Sequence, residues 1–168
     1  MKLAFITISI EINDLKRTID SISEVDLSSV EEYLNVIVLP KDKFNNSKKN
    51  LENLIVNPKV FFCHDNKKGI YNALNIGLEK AQEIEASHVV FINGGDLLKS
   101  GFCKSLEISL ANPRTIIGGF VRYVSEDYKK ELYIYKGGFS RWNINHQGSI
   151  YPSKVFSNNK YLEDLKIS

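Results

Sequence analysis

The chain has 168 residues, with 43% hydrophobic and 25% charged side chains, a balance that fits one folded domain and excludes a disordered or fibrous chain. Its 22 basic and 20 acidic residues give a formal net charge of +2, which argues against a dedicated nucleic-acid binder. No apolar run approaches the roughly 20 residues that span a bilayer, and the 2 cysteines are typical of free thiols in a reducing cytoplasm.

Up to about residue 111, apolar strands alternate with amphipathic helices. The strands are rich in β-branched and aromatic residues, and we expect them at 2–10, 35–39, 59–64 and 88–92. Helices are expected after the first strand, at 70–85 and at 99–111. This alternation predicts an α/β fold with a mainly parallel sheet that is covered by helices on both faces.

The remainder of the chain has a different pattern. Residues 115–124 and 131–136 are strand-like, and residues 148–156 fit either another strand or a short helix. We therefore expect antiparallel strands added to the parallel ones. Ligands of such sheets bind at the carboxyl ends of the strands, which draws attention to the segment that follows the strand at 88–92.

That segment is NGGD at 93–96. Glycine allows backbone N–H groups to approach a ligand closely, and a carboxylate is a preferred ligand of a hard divalent cation. Asp96 could therefore hold Mg²⁺ or Mn²⁺ against a diphosphate. The alternative is a plain turn in which Asp96 caps the helix at 99–111. The sequence contains no GxGxxG, no GxxxxGK[ST] and no GxSxG, so it lacks other familiar nucleotide-binding and hydrolase motifs.

Four segments in order resemble the family 2 glycosyltransferases of GT-A fold, especially the branch that builds bacterial capsule and exopolysaccharide. The family stretch E-x-D-x-G-I-Y-D-A-M-N-x-G-I is similar to DNKKGIYNALNIGLEKA at 65–81. The family's strand ending in N-x-x-D or D-x-D is similar to VVFINGGD at 89–96. FITISIEINDLKRTIDSI at 5–22 resembles its first strand and helix, and NHQGSIYPSKVF at 145–156 resembles its H-Q-x-x-x-Y segment.

The resemblance implies a fold and a reaction. The fold would be a three-layer α/β sandwich with a mainly parallel, mixed sheet that lacks its C-terminal part. One domain would cover 1–168, with a nucleotide-sugar-binding half at 1–111 and an incomplete acceptor-side half at 112–168. A sugar would move, with inversion, from a UDP- or GDP-type nucleoside-diphosphate sugar to a hydroxyl of a glycan or lipid-linked acceptor. Mn²⁺ or Mg²⁺ would neutralise the diphosphate, and a carboxylate base would take the acceptor proton.

Matching positions supply the candidate site residues. Asp96 corresponds to the metal-binding carboxylate, and His146 and Gln147 correspond to the H-Q pair on the acceptor side. The donor-binding candidates are Thr7, Asp65, Lys67, Asn75, Asn93, Gly94 and Gly95.

Each candidate also has a purely structural interpretation. Thr7 could be an ordinary strand residue, Asp65 a turn former and Asn75 a solvent-facing helix residue. His146 could equally be structural. The sequence alone leaves these alternatives open.

The chain departs from the family pattern in three places. An Asp that recognises uracil in the family is missing after the strand at 35–39, unless Asp42 replaces it. Lys67 replaces a family Asp, and would meet a phosphate instead. The family's catalytic base would follow 161–168, so the catalytic residue is unknown. The leading interpretation is a glycosyltransferase domain, and the alternative is a non-catalytic nucleotide-sugar-binding or scaffold module. An unrelated α/β nucleotide-binding protein is a third interpretation, which leaves the H-Q-x-x-x-Y match unexplained. We expect self-association through uncovered surface and at most peripheral membrane contact.

Overall fold

The computed structural model describes residues 1–45, 60–66, 69–124, 130–135 and 146–161. Its strands are β1 (Lys2–Ile8), β2 (Glu32–Pro40), β3 (Val60–Asp65), β4 (His88–Asn93), β5 (Val121–Val124), β6 (Glu131–Tyr135) and β7 (Ile150–Pro152). Its helices are α1 (Ile12–Ser23), α2 (Ile70–Glu83) and α3 (Phe102–Ala111), and a 3₁₀ helix follows β7 at Ser153–Phe156. Residues 41–45, directly after β2, are also helical.

Five strands form the central sheet, in the order β3-β2-β1-β4-β7. The first four of these run parallel, and β7 pairs with β4 in antiparallel orientation. Within β1, the side chains of Leu3, Ala4, Phe5 and Ile6 are completely buried. A strand that is covered on both faces needs apolar residues at successive positions, which explains its continuous apolar run. The predicted mainly parallel, mixed sheet is confirmed.

Helices cover both faces of this sheet. On one face, Phe5 packs against Phe102 of α3, with ring centroids 5.8 Å apart. On the other face, Ile6 packs in a cluster with Leu74 of α2. A Cβ added at Gly77 would collide with the Ile6 side chain, so this glycine allows α2 to lie directly on β1.

Element boundaries agree less well than element types. The helix expected at 99–111 begins only at Phe102, because the preceding residues form a turn in which the Phe102 N–H donates to the Lys99 carbonyl at 2.9 Å. Only Val121–Val124 of the segment 115–124 forms a strand, while Ile117 makes an isolated bridge to β7.

The C-terminal part adds antiparallel structure, as expected. β5 and β6 form a separate two-stranded antiparallel sheet. The segment 148–156 contains both of its predicted alternatives, a short strand followed by one helical turn. In the described part of the chain, no helix has the length and hydropathy that crossing a bilayer requires.

Candidate functional site

A cleft of about 960 Å³ opens at the carboxyl ends of β1, β2, β3 and β4. Its walls come from the residues that follow each strand: Ser9 after β1, Asp42 after β2, Asn66 after β3 and Gly94 after β4. Ile70, in the first turn of α2, also lines it. The loops converge because parallel strands end at one edge of the sheet, and the volume suits a small organic ligand.

The NGGD segment, hereafter the glycine loop (residues 93–96), is a tight turn on the cleft wall. The Asp96 N–H donates to the Asn93 carbonyl at 3.0 Å, and the Gly94 N–H donates to the last carbonyl of β1 at 2.7 Å. A Cβ at Gly94 would collide with the Ser9 side chain, whereas Gly95 has a φ of +96°, which side chains rarely adopt. Close contact with Ser9 therefore requires glycine at position 94, and the positive φ requires glycine at position 95. Helix α3 begins well beyond the loop, so Asp96 does not cap it.

Thr18 of α1 fixes the glycine loop from outside the cleft. Its hydroxyl donates to the Asp96 carbonyl at 2.8 Å and accepts the Gly95 N–H at 2.9 Å. Thr18 is completely buried. A single hydroxyl therefore bonds two backbone groups of the turn, and the Gly95 N–H also donates to the Asp14 carbonyl at 3.2 Å.

Two carboxylates lie at the glycine loop, that of Asp96 within it and that of Asp14 beside it. One oxygen of Asp96 accepts the N–H of Asn93 at 3.3 Å. The carboxyl carbon of Asp14, which lines the cleft, lies 3.7 Å from where a Cβ of Gly95 would stand. Loss of hydration raises the pKa of the Asp96 carboxyl above its usual value, and the smaller effect of the hydrogen bond from Asn93 opposes this. A nearby cation would therefore stabilise the ionised form of Asp96.

Asp96, Asn93 and Asp14 present oxygen atoms, the ligands that Mg²⁺ and Mn²⁺ prefer. Among the residues that the structure describes, no group of three or more His, Cys, Asp or Glu side chains is placed to hold a metal ion. A cation at this loop would complete its coordination with phosphate oxygens and water, the usual arrangement for Mg²⁺. The residues present fit a cation that binds together with a diphosphate, and do not fit one held by side chains alone.

The other end of the cleft lies at β3. Asp65, the last residue of β3, lines the cleft, and its carboxylate accepts a hydrogen bond from the amide of Asn72 in α2. Asp42 lines the wall between the two ends. Three strand spacings separate β3 from β4, which puts Asp65 roughly 14 Å from the glycine loop.

The structure brings three of the predicted donor-binding residues to the wall of this cleft, whereas the predicted metal ligand Asp96 does not line it. Asp65, Asn93 and Gly94 line it, and Gly95 and Asp96 complete the glycine loop. These residues come from strands that are not adjacent in the sequence. Their convergence depends on the sheet order, and their roles toward a ligand stay predictions.

Among the predicted donor-binding residues that the structure describes, Thr7, Asn75 and Gly95 do not line the cleft. Thr7 is completely buried in β1, and its hydroxyl has no hydrogen-bond partner among the described residues. Asn75 is buried on α2, where its amide donates to the Tyr161 carbonyl at 3.0 Å and accepts the Tyr161 N–H at 2.9 Å. Asn75 therefore ties α2 to a later part of the chain and does not face solvent. Lys67 lies outside the described residues.

His146 and Gln147 lie beside β4, where Gln147 makes an isolated bridge to Phe91. The ring of His146 stacks on that of Phe91 at 4.1 Å, and the Tyr161 hydroxyl lies 3.2 Å from its Nδ1. Burial lowers the pKa of His146 to about 4, so its ring is neutral at pH 7. We call this group of packed rings the aromatic cluster: Phe91, His146, Tyr151, Phe156 and Tyr161.

Four residues that shape the site are not among the sequence-based candidates: Ser9, Asp14, Thr18 and Asn72. One signal was available for two of them. Asp14 and Thr18 are four residues apart on an expected helix, so they share one face close to the end of the first strand. The pairing of Asn72 with Asp65 depends on the path between β3 and α2, which sequence patterns do not determine.

The sheet order and the position of the cleft define a glycosyltransferase-like α/β fold of GT-A type. No protein-family model and no curated protein matches the chain. Among solved structures, residues 1–349 of S. aureus TarS in complex with UDP match with a TM-score of 0.67 and 17% identity over 99% of this chain and 52% of that one. The chain spans 31% of a longer TarS chain.

Other solved structures share the fold. 4-Diphosphocytidyl-2C-methyl-D-erythritol synthase from Anaerococcus prevotii DSM 20548 matches with a TM-score of 0.55 and 18% identity over 93% of this chain and 73% of that one. HddC from Yersinia pseudotuberculosis matches with a TM-score of 0.53 and 18% identity over 95% and 80% of the two chains. Identities this low establish the fold alone.

Proposed function

We propose that the chain is the donor-binding domain of an inverting glycosyltransferase that uses a UDP-type nucleoside-diphosphate sugar in surface polysaccharide synthesis. The observation that carries this proposal is the cleft, which has a carboxylate, Asp65, at one end and the glycine loop at the other. TarS, which shares the fold, has been solved with UDP and with UDP-GlcNAc, and this supports uridine over guanosine as the nucleoside.

The two ends of the cleft suit the two ends of a nucleoside diphosphate. A carboxylate accepts hydrogen bonds from ribose hydroxyls or from a base N–H, so Asp65 suits the nucleoside. The glycine loop has the close-approaching backbone and the flanking carboxylates that suit a diphosphate with a cation. The separation of roughly 14 Å between the ends is comparable with the length of an extended nucleoside diphosphate.

Asp96, with Asn93 and Asp14, would hold Mn²⁺ or Mg²⁺ at the diphosphate. The cation would neutralise charge that develops on the leaving group. The glycine loop would orient the diphosphate, and Asp65 would fix the nucleoside, so that the anomeric carbon faces the acceptor. A glycan or lipid-linked hydroxyl would form the new glycosidic bond as the bond to the diphosphate breaks, and a carboxylate base not assigned to any described residue would take the proton.

Thermal unfolding with and without nucleotide tests the proposal. We expect UDP with Mn²⁺, at about 100 times its dissociation constant, to stabilise the chain by about 2.7 kcal/mol, and so to raise the midpoint by roughly 5–10 °C. GDP with Mn²⁺ should raise it less, and Asp96→Ala should abolish the metal-dependent part. The absence of any shift with either nucleotide would refute the proposal.

A second measurement separates an enzyme from a binding module. UDP release from UDP-sugars is followed with unsubstituted protein and with Asp96→Ala. Release above background that Asp96→Ala abolishes would support turnover. Nucleotide binding without release, with a range of sugars, would instead identify a non-catalytic nucleotide-sugar-binding module.

A further inference from the structure

One side chain next to the cleft has a geometry that the donor-site residues do not explain. Asn72 lies in the first turn of α2, is 8% exposed, and does not line the cleft. Its Nδ2 donates a hydrogen bond to Oδ1 of Asp65. Ile70 and Ala73, its neighbours in the same turn, do line the cleft. Asn72 therefore approaches Asp65 from the protein side, while Asp65 itself reaches the cleft.

We propose that Asn72 is a positioning residue, which holds the Asp65 carboxylate in the orientation that accepts a hydrogen bond from the nucleoside of the donor. This inference rests on the function proposed above. A carboxylate has about four acceptor sites, so the hydrogen bond from Asn72 does not prevent Asp65 from accepting one from a ligand as well. A fixed carboxylate loses less side-chain freedom when the ligand binds.

The chemistry of Asn72 suits this role better than that of a charged residue. A Lys or Arg at this position would neutralise Asp65 and compete with a neutral nucleoside donor for its oxygens. An amide donates a hydrogen bond and leaves the negative charge in place. Because Asn72 is almost fully buried, water does not readily replace Asp65 as the partner of its amide. Loss of this hydrogen bond would leave a buried polar group unsatisfied.

The test measures dissociation constants for UDP with Mn²⁺ by calorimetry. Asn72→Leu removes the donor at similar volume, and Asn72→Asp keeps the shape while turning the donor into an acceptor that repels Asp65. The matched control is Gln82→Leu, which removes another side-chain amide from the same helix, where it donates to the Phe156 carbonyl at 3.4 Å, away from the cleft. Midpoints of thermal unfolding without nucleotide establish that each variant is folded.

We expect Asn72→Leu to weaken UDP binding about tenfold and Asn72→Asp to weaken it by at least as much, because a charge-assisted hydrogen bond is lost. Gln82→Leu should change it less than twofold. In an Asp65→Ala background, Asn72→Leu should have almost no further effect, since a positioning residue acts only through its partner. An equal loss in both backgrounds would overturn the proposal, and would mean that Asn72 merely joins β3 to α2.

Two further nucleotides identify which group of the nucleoside donates a hydrogen bond to Asp65. CDP lacks the N3–H of uracil, and 2′-deoxy-UDP lacks one ribose hydroxyl. We expect Asn72→Leu to reduce the preference for UDP over one of these two, and a preference unchanged for both would contradict the positioning role. If the unsubstituted protein binds no nucleotide, the proposed function fails and this inference fails with it. If UDP binds and the Asn72 variants bind it equally well, only the positioning role is lost.

Discussion

The cleft and the aromatic cluster both contain polar side chains that the sequence assigns to a functional site, and the two regions hold them in opposite ways. Asp65 lines the cleft and accepts a hydrogen bond from Asn72, and Asp96 of the adjoining glycine loop accepts one from a backbone N–H. In the aromatic cluster, the ring of His146 lies 4.1 Å from that of Phe91, and burial lowers its pKa to about 4.

The difference follows from whether each side chain is charged at neutral pH. A carboxylate is ionised at neutral pH and is costly to bury, so it lies where N–H groups and solvent reach it. An imidazole can release its proton and pack as a neutral ring. Substitutions in the cleft should therefore change the loop and ligand binding, whereas substitutions in the cluster should change how stability depends on pH.

The largest effect is expected at Gly94. In Gly94→Ala, the new Cβ would collide with the Ser9 side chain and would stand 3.2 Å from its Cα, so backbone must shift. Overpacking of this kind costs about 3 kcal/mol, and should lower the unfolding midpoint by roughly 6–12 °C. Thermal or urea unfolding measures it.

Two glycine variants serve as controls for Gly94→Ala. Gly101→Ala introduces a Cβ with no atom within 4 Å and at a helical φ of −57°, so it should leave stability unchanged or slightly raise it. Gly95→Ala has ordinary contacts but a φ of +96°, and should cost about 1–2 kcal/mol through backbone strain alone. If all three variants unfold at the same midpoint, close contact with Ser9 is not what requires glycine at 94.

A smaller loss is expected for Thr18→Val. The substitution keeps the shape of the side chain but removes the hydroxyl that bonds the Asp96 carbonyl and the Gly95 N–H. Loss of these buried bonds should cost about 2 kcal/mol. It should also weaken UDP binding, because the glycine loop loses its support. Thr18→Ser keeps the hydroxyl and should preserve nucleotide affinity; equal affinities for the Val and Ser variants would contradict this role of Thr18.

The aromatic cluster should respond to acid. Because burial lowers the folded-state pKa of His146 below its usual value of 6.5, protonation favours the unfolded chain. Stability should fall as the pH decreases from about 6.5 toward 4, by about 1–2 kcal/mol at pH 5. His146→Phe should flatten this decline. Burial also lowers the pKa of His88, so part of the decline should persist. An unchanged pH profile would show that the ring of His146 is hydrated.

How far the sequence predicts each region depends on the range of the interactions. The continuous apolar run of β1 predicts a buried strand, because burial on both faces leaves a direct pattern in the residues. Gly94 and Gly95 are candidates because they match a family motif. The positive φ of Gly95 is a local restriction, but the contact that requires glycine at 94 comes from Ser9, which is distant in the sequence. The support from Thr18 and the bond between Asn72 and Asp65 cross between elements, and no local pattern specifies such pairs. His146 matched a motif, but its burial depends on rings from three other segments.

The smallest effect on stability, and the clearest separation of stability from binding, is expected for Asp96→Asn. Loss of hydration raises the pKa of Asp96 in the folded chain, so its ionised form opposes folding above that pKa, and the effect disappears below about pH 3.8, where the group is protonated in both states. The amide of Asn carries no charge and so removes this destabilisation. Asp96→Asn should therefore be equally or slightly more stable than the unsubstituted chain at pH 7, and no different at pH 3.5.

The same variant should lose Mn²⁺-dependent UDP binding, because an amide is a much weaker cation ligand than a carboxylate. Unfolding midpoints at the two pH values, each measured with and without UDP and Mn²⁺, check both halves. A variant that loses stability at pH 7 but keeps metal-dependent binding would show that Asp96 supports the turn and does not bind the cation.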